Sequence, residues 1–365
     1  MSKIVFVLGA GASVHCGIPL MKDFIRVSAD LFKAGEVEEA KADFELVLDA
    51  IGKLRGMIPK ANLDLRNIEI VYTAFEMGQL LERLPGIDNV ETIESLAPSM
   101  RKLIGHTLEH QMKLYDRGET KAPIAYHQFS GILDRLIQNK TDFSVITFNY
   151  DLGLDYSLYA KKIAIDYGIG DIPLTGKKQV NLFKLHGSLN WGRCTNDDCE
   201  KLTAYRGFQN TTYCPNEKSS TLPVLSRLKT MKCEKCGSSI HEDPVLIPPT
   251  WNKTSFHSQI EQVWRGAANA LKDAEHIFVL GYSLPDTDWF FDYLFALGVD
   301  MTTIVNQFCV VNPDNAVAER FKRFLGPDVT GRIVQGPTTF EEFVSKSNTL
   351  WPTPNSPNII PIINW

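Results

Sequence analysis

Three short stretches carry residues whose types and spacing suit chemistry. "TFNYD" (147–151) places Asn149 and Asp151 directly after an apolar run, and "KLHGS" (184–188) places His186, Gly187 and Ser188 after another. An asparagine amide both donates and accepts hydrogen bonds, so it can orient a water, and an imidazole can take up a proton near neutral pH. The third stretch, "LGAGAS" (8–13), places Gly9, Ala10, Gly11 and Ser13 after the first apolar run. Its glycines allow positive φ and close backbone approach, and amides at such a turn with a helix behind them suit a diphosphate. Taken singly, each feature has a plainer reading: small residues at a tight turn, a satisfied histidine, an asparagine bonded to its own backbone.

The elements that must position these residues are strands. "KIVFVL" (3–8), "FSVITF" (143–148), "NLFKL" (181–185), "HIFVLG" (276–281) and "QFCVVN" (307–312) are short, apolar and bounded by polar residues or glycine. Helical patterns at 255–274, 288–299 and 315–325 separate several of them. Continuous apolar strands alternating with helices predict an α/β fold, a Rossmann-like parallel sheet covered by helices on both faces. Ligands of such sheets bind beyond the carboxyl ends of the strands. Here five ends carry small or polar groups, since "GYS" adds Gly281 and Ser283 and "VNPD" adds Asn312. Five such ends predict one crevice along the sheet edge. Dehydrogenase chemistry loses support, because Val14 stands where the dinucleotide fingerprint has its third glycine and no second strand with a terminal acid follows.

Between these strands, residues 35–138 read as almost wholly helical, a large helical insertion that begins after a helix predicted to start at Pro19. Residues 192–242 interrupt the α/β pattern and read as a small zinc-ribbon-like module inserted in a domain spanning 1–350. Cys194 and Cys199 form one close pair and Cys233 and Cys236 the other, in "CEKC"; Cys214 is a rival fourth ligand. Two close cysteine pairs on turns suit tetrahedral zinc, and a closed four-sulfur site is structural. The tail 351–365 is rich in proline and asparagine and reads as an extended strap. Cys16 and Cys309 lie in apolar contexts and read as core. His106 and His110, four apart, read as a solvated helical face, and Asp286 or Asp288 as a helix cap.

The chain has 365 residues, 44% hydrophobic and 22% charged, with a formal net charge of −5 and a pI of about 5.9. This balance argues against direct nucleic-acid binding over the surface as a whole. No run reaches a membrane span and none has the form of a signal peptide, which predicts a cytoplasmic protein without membrane association.

The set "GAGAS", "GIP" (17–19), "TFNYD", "KLHGS", a cysteine module after it, "GYSL" and "VN" resembles the sirtuin pattern in order. The "HGSLNW" form with the large helical segment is similar to the bacterial sirtuin-like NAD hydrolases of antiphage defence. The resemblance implies that Gly9, Ala10, Gly11 and Ser13 hold the NAD diphosphate. Asn149 would position a water beside the nicotinamide ribose, Asp151 border the nicotinamide pocket and His186 bond the ribose hydroxyls as base. Gly281 and Ser283 would touch the phosphate and adenosine side and Asn312 the adenine ribose, with Pro19, Gly187 and Ser188 among the same NAD-contacting positions. Protein-deacylating sirtuins carry Asp-Phe-Arg after the "GIP", where this chain has Leu20-Met21-Lys22. Their peptide-side stretch is replaced here by "GYSLPDTDWFFDYL". These departures favour cleavage of NAD itself over protein-lysine deacylation. The resemblance further implies homo-oligomers and gating by a separately encoded partner such as an ATPase.

Overall fold

The computed structural model describes residues 3–56, 63–116, 119–120, 122–170, 178–206, 224–247, 260–285, 288, 290–298 and 303–347. Its centre is β1 (Ile4–Leu8), five residues all buried, which explains why the run contains no polar position. The chain next forms a short 3-10 helix over Ala10–Cys16, then α1 (Phe24–Ala34), α2 (Lys41–Gly56), α3 (Ile68–Leu80) and α4 (Val90–Gln111). A small antiparallel pair follows, β2 (Tyr115–Asp116) with β3 (Glu119–Thr120), and then α5 (Ile124–Gln138). The sheet resumes with β4 (Phe143–Thr147), α6 (Gly153–Ala160), β5 (Ala164–Asp166) and β6 (Gln179–Lys184).

Next come an antiparallel pair, β7 (Trp191–Arg193) with β8 (Leu202–Ala204), and α7 (Val224–Lys229). The last part runs α8 (Glu261–Lys272), β9 (His276–Leu280), α9 (Phe290–Gly298), β10 (Gln307–Val311), α10 (Ala316–Phe324), α11 (Pro327–Thr330), β11 (Ile333–Gly336) and α12 (Phe340–Ser347).

Seven strands form one parallel sheet in the order β11-β10-β9-β1-β4-β6-β5. The parallel α/β architecture expected from the apolar runs is present. The chain grows from β1 toward β4 and β6, then returns to β1's other side with β9, so the strand order reverses beside β1. A crevice opens at such a reversal. Register sets its level: Leu8 lies opposite both Thr147 and Leu280, Thr147 opposite Lys184, and Leu280 opposite Val311. The loops after β1, β4, β6, β9 and β10 therefore leave the sheet at one height and on one edge.

Several details differ from the sequence expectations. The glycine loop leads into a 3-10 helix, and α1 starts at Phe24, because Leu20–Asp23 form a turn closed by the Asp23 amide on the Leu20 carbonyl. The stretch read as almost wholly helical contains the β2–β3 pair. β5 and β11 were not predicted; β5 has three residues, both are edge strands, and neither carries a long apolar run. The helices α2, α3 and α4 bury Phe44, Val47, Tyr72, Phe75, Leu96, Met100 and Leu103 in one core continuous with that of the sheet. α5 packs on the sheet itself, with the Phe129 ring 5.2 Å from that of Phe6. Asn67 and Asn89 cap α3 and α4 by accepting the amides of Glu69 and Thr92. Cys16 and Cys309 are fully buried, as their contexts predict. His106 and His110 are half-buried, and desolvation holds both imidazoles below their ordinary range. Among the described residues no helix is long and apolar enough to cross a membrane. The tail 351–365 and Cys214 lie outside the described residues.

Candidate active site

A cavity of about 590 Å³ lies at the reversal beside β1, within the size range of small-molecule sites. All five anticipated strand ends reach it: Ala10 and Gly11 after β1, Asn149 after β4, His186 after β6, Gly281 and Ser283 after β9, and Asn312 after β10. Their convergence follows from the shared register of the strands.

The glycine loop is shaped by a neighbouring backbone. A Cβ on Gly9 would stand 2.4 Å from the Tyr282 Cα, and one on Gly11 would stand 2.8 Å from the Gly281 carbonyl. The loops after β1 and β9 thus touch backbone to backbone, which only glycine permits. Close approach is confirmed and positive φ is not needed at Gly9, whose φ is −111°. The amides of Gly9 and Gly11 donate to the Leu280 and Gly281 carbonyls, so these two amides close the loop and do not face a ligand.

Asn149 is 9% exposed and its orientation is determined by its partners. Nδ2 donates to the Gly9 carbonyl at 2.8 Å and to the Ser13 hydroxyl at 2.9 Å. A carbonyl only accepts, so the amide nitrogen must face it, and Oδ1 remains to accept from the cavity. Ser13 supports this arrangement from behind. Its hydroxyl donates to Asp151 Oδ2, accepts from Asn149, and contacts the Tyr126 hydroxyl at 2.8 Å. One donor and two acceptor sites are then filled. Ser13 and Asp151 therefore lie behind the cavity wall, not on it. Burial pushes the Asp151 carboxyl up, opposed by the Lys184 charge and by hydrogen bonds from Ser13 and the Gly153 amide.

The histidine follows a strand because a turn must hold it. The Gly187 amide donates to the Lys184 carbonyl, and Gly187 has φ +81°. A Cβ there would stand 2.1 Å from the Val245 carbonyl. The Ser188 amide donates to that carbonyl, and the His186 carbonyl accepts from Ile247. The segment 245–247 thus pins the turn from one side, and the turn presents His186, 6% exposed, to the cavity. Its Nε2 lies 3.3 Å from Asp288 Oδ1, and Asp288 also accepts from the Tyr282 hydroxyl at 3.2 Å. The Asp288 carboxylate, read from the sequence as a helix cap, meets the imidazole. Asp286 lies outside the described residues. Burial pushes the Tyr150 and Tyr282 phenols well up, with Asp288 adding to each. The Phe148 ring stacks on Tyr282 at 4.2 Å and meets His186 edge-on at 5.1 Å. Gly187, Ser188 and Pro19 do not line the cavity, whose wall near Pro19 is formed by Leu20, Met21 and Lys22.

Under the two loops lies a buried ion pair that sequence reasoning missed. Lys184 and Asp155 are both about 1% exposed and pair at 3.0 Å. Lys184 Nζ also donates to the Asp151 carbonyl and the Ser188 hydroxyl, each at 2.7 Å. Its three protons thus tie α6, the loop carrying Asn149 and the loop carrying His186 to one point. Asp155 accepts from Tyr167, and Ser188 donates to Asn190. A lysine inside an apolar run was the available signal, because a buried lysine requires a partner.

The four cysteines converge. The sulfurs of Cys194, Cys199, Cys233 and Cys236 all lie within 4.8 Å of one another, with Cys194–Cys236 at 3.4 Å and Cys199–Cys233 at 3.7 Å. A tetrahedral zinc with bonds of about 2.3 Å sets its sulfurs about 3.8 Å apart, so the set fits. Glu109 of α4 reaches toward this region: its carboxylate accepts the Leu225 amide at the start of α7, and burial pushes it up to about 7. Purified protein is expected to carry about one zinc per chain, released by Cys233→Ser with Cys236→Ser. Metal analysis below half an equivalent would count against the site.

No family model matches the chain, and no curated protein matches it. Among solved structures, a mutant Sir2 homologue in complex with ADP ribose shares 16% identity over 95% of this chain and 90% of its own, with a TM-score of 0.43. A Sir2 homologue–NAD complex shares 16% over 95% and 88%, with a TM-score of 0.42. Sir2Tm bound to a propionylated peptide shares 15% over 94% and 91%, with a TM-score of 0.36. The likeness is distant, and the cavity's own residues carry the functional reading.

Proposed function

We propose that this chain is an NAD glycohydrolase: NAD and water give ADP-ribose and nicotinamide. The observation that carries the reading is the convergence of Asn149 and His186 on one cavity at the reversal of strand order. In this reading the adenosine and phosphates lie along Ala10, Gly11, Gly281, Ser283 and Asn312, and the nicotinamide ribose lies between Asn149 and His186. The positions named by the resemblance to nucleotide-binding sirtuins divide in two. Gly9, Ser13, Pro19, Asp151, Gly187 and Ser188 stand behind or beside the cavity wall, and the cavity-lining residues contact NAD.

The bond to break joins ribose C1′ to a cationic pyridinium. Its electron pair departs with neutral nicotinamide, so the leaving group needs no proton, and the difficulty is the cation left on the sugar. Holding the ribose, stabilising that charge and admitting one water are the tasks of the site. Asn149 Oδ1, oriented by its two donated hydrogen bonds, accepts from the attacking water. His186 takes the proton that this water sheds, and the Asp288 carboxylate stabilises the imidazolium as it forms. The zinc held by the four cysteines takes no part; it would hold the fold around β7 and β8.

An unrestrained NADase depletes its own cell, so the reading includes gating by assembly or by a separately encoded partner, and use as an effector of antiphage defence. The test is direct. The chain, alone and with its genomic neighbour, is incubated with NAD, and with NAD plus an acetyl-lysine peptide. Nicotinamide and ADP-ribose released without peptide are the expected result. Release only with peptide, accompanied by acetyl-ADP-ribose, would replace the reading by a protein-lysine deacylase.

A further inference from the structure

One wall of the cavity comes from outside the parallel sheet. Asn67 and Glu69, at the start of α3 in the helical stretch between β1 and β4, line the same cavity as Asn149 and His186. The Asn67 side chain accepts the Glu69 amide, which places Glu69 in the first turn, where the helix dipole favours a negative charge. Glu69 is 7% exposed. A carboxylate withdrawn this far from water normally has a specific use. Its neighbourhood is that of the histidine. The Tyr150 ring lies 6.0 Å from the imidazole and Tyr282 donates to Asp288, and the phenols of both lie in the fields of Glu69 and Asp288. Two buried carboxylates from unrelated parts of the chain, Glu69 and Asp288, thus line the cavity that holds the imidazole, Asp288 in direct contact with it. Among the described lining residues Lys22 is the one Lys or Arg, and it is exposed. Four carboxylates, Glu69, Asp288, Asp314 and Glu341, line the same cavity, and the two beside the catalytic loops, Glu69 and Asp288, are buried, so the cavity favours positive charge.

We propose that Glu69 is a catalytic residue whose carboxylate faces the nicotinamide end of bound NAD, attracting the pyridinium in the ground state and stabilising the ribosyl cation that follows. The proposal rests on the NAD-cleaving reading above. The balance is that of hydrolysis: the C1′–N bond breaks with its electron pair on nicotinamide, the water oxygen bonds C1′, and one proton leaves through His186 to solvent. Glu69 forms no bond and changes no protonation state; it supplies charge. A consequence separate from turnover follows. The site distinguishes the cationic ring of oxidised NAD from the neutral ring of NADH.

The test uses the full chain and Glu69→Gln, with Glu69→Asp as the charge-retaining control and thermal midpoints to show that all three fold. Turnover is read as nicotinamide release, and ring preference as the ratio of dissociation constants for NADH and the non-hydrolysable carba analogue of NAD. Glu69→Gln should lower kcat by roughly 10- to 100-fold with KM changed far less, and should remove most of a preference on the order of tenfold for the cationic ring. Glu69→Asp should recover part of both. Equal kcat and equal ring preference in Glu69→Gln overturn the proposal while leaving the hydrolase reading in place. If the parent chain releases no nicotinamide under any condition, the hydrolase reading fails and the catalytic role with it. The ring preference then decides whether Glu69 faces the nicotinamide end at all.

Discussion

Asn149→Ala is expected to lower nicotinamide release by at least about 100-fold, the cost of removing one oriented polar group from a reacting centre. The loss has two sources. The truncated side chain no longer presents Oδ1 to the cavity, so the attacking water loses its acceptor. It also withdraws two donated hydrogen bonds, leaving the Gly9 carbonyl and the Ser13 hydroxyl with a missing partner each. That second loss costs about 0.5–1.5 kcal/mol of stability per hydrogen bond. The variant should still fold, because the Gly9 carbonyl retains the Ala12 amide and Ser13 retains Asp151 and Tyr126. Asn149→Asp separates the two sources. It keeps an acceptor in the cavity yet sets a carboxylate oxygen against the Gly9 carbonyl, so it too should be inactive. Turnover at the parent rate in either variant would remove Asn149 from the mechanism.

Lys184→Met should be the most destabilising single change at the site, by about 3–5 kcal/mol, because it leaves the Asp155 carboxylate buried without its counter-charge. The variant also unties the Asp151 carbonyl and the Ser188 hydroxyl, so the loops bearing Asn149 and His186 lose their common anchor. The double change Lys184→Met with Asp155→Leu restores much of the stability, since an apolar pair of similar volume replaces a buried ion pair at little net cost. Activity should not return with it, because the anchor is still missing. Chemical denaturation of the two variants measures the first effect and nicotinamide release the second. A single variant as stable as the parent would show that the pair is not buried as described.

Much of the scaffold is legible in local pattern. The run at 4–8 is apolar throughout, and those at 143–147, 276–280 and 307–311 are largely so, with Ser144, Thr147, His276 and Gln307 as the exceptions, because each strand is covered on both faces. The edge strands β5 and β11 escape notice because a short, partly exposed strand needs no continuous apolar run. The cysteine pairs are legible for another reason: two thiols on one turn are close whatever the rest of the chain does. Ser13 shows the opposite case. Its position in the glycine loop suggests a ligand contact, yet Tyr126 and Asp151 arrive from far along the chain and take its hydroxyl. The contact of Asp288 with His186, at 3.3 Å, is likewise made only when β6 brings the histidine to it.

The sequence by itself determined the central strands and most helices, which strand ends carry polar groups and which cysteines lie close along the chain, because periodicity, turn chemistry and short spacings are properties of neighbouring residues. Only the tertiary structure decided which of those groups face the cavity and which stand behind it. It also decided that Glu69 and Asp288 join Asn149 and His186, and that Lys184 ties their loops together. Those outcomes depend on the strand order and its register, which are set by burying one core among segments far apart in the chain.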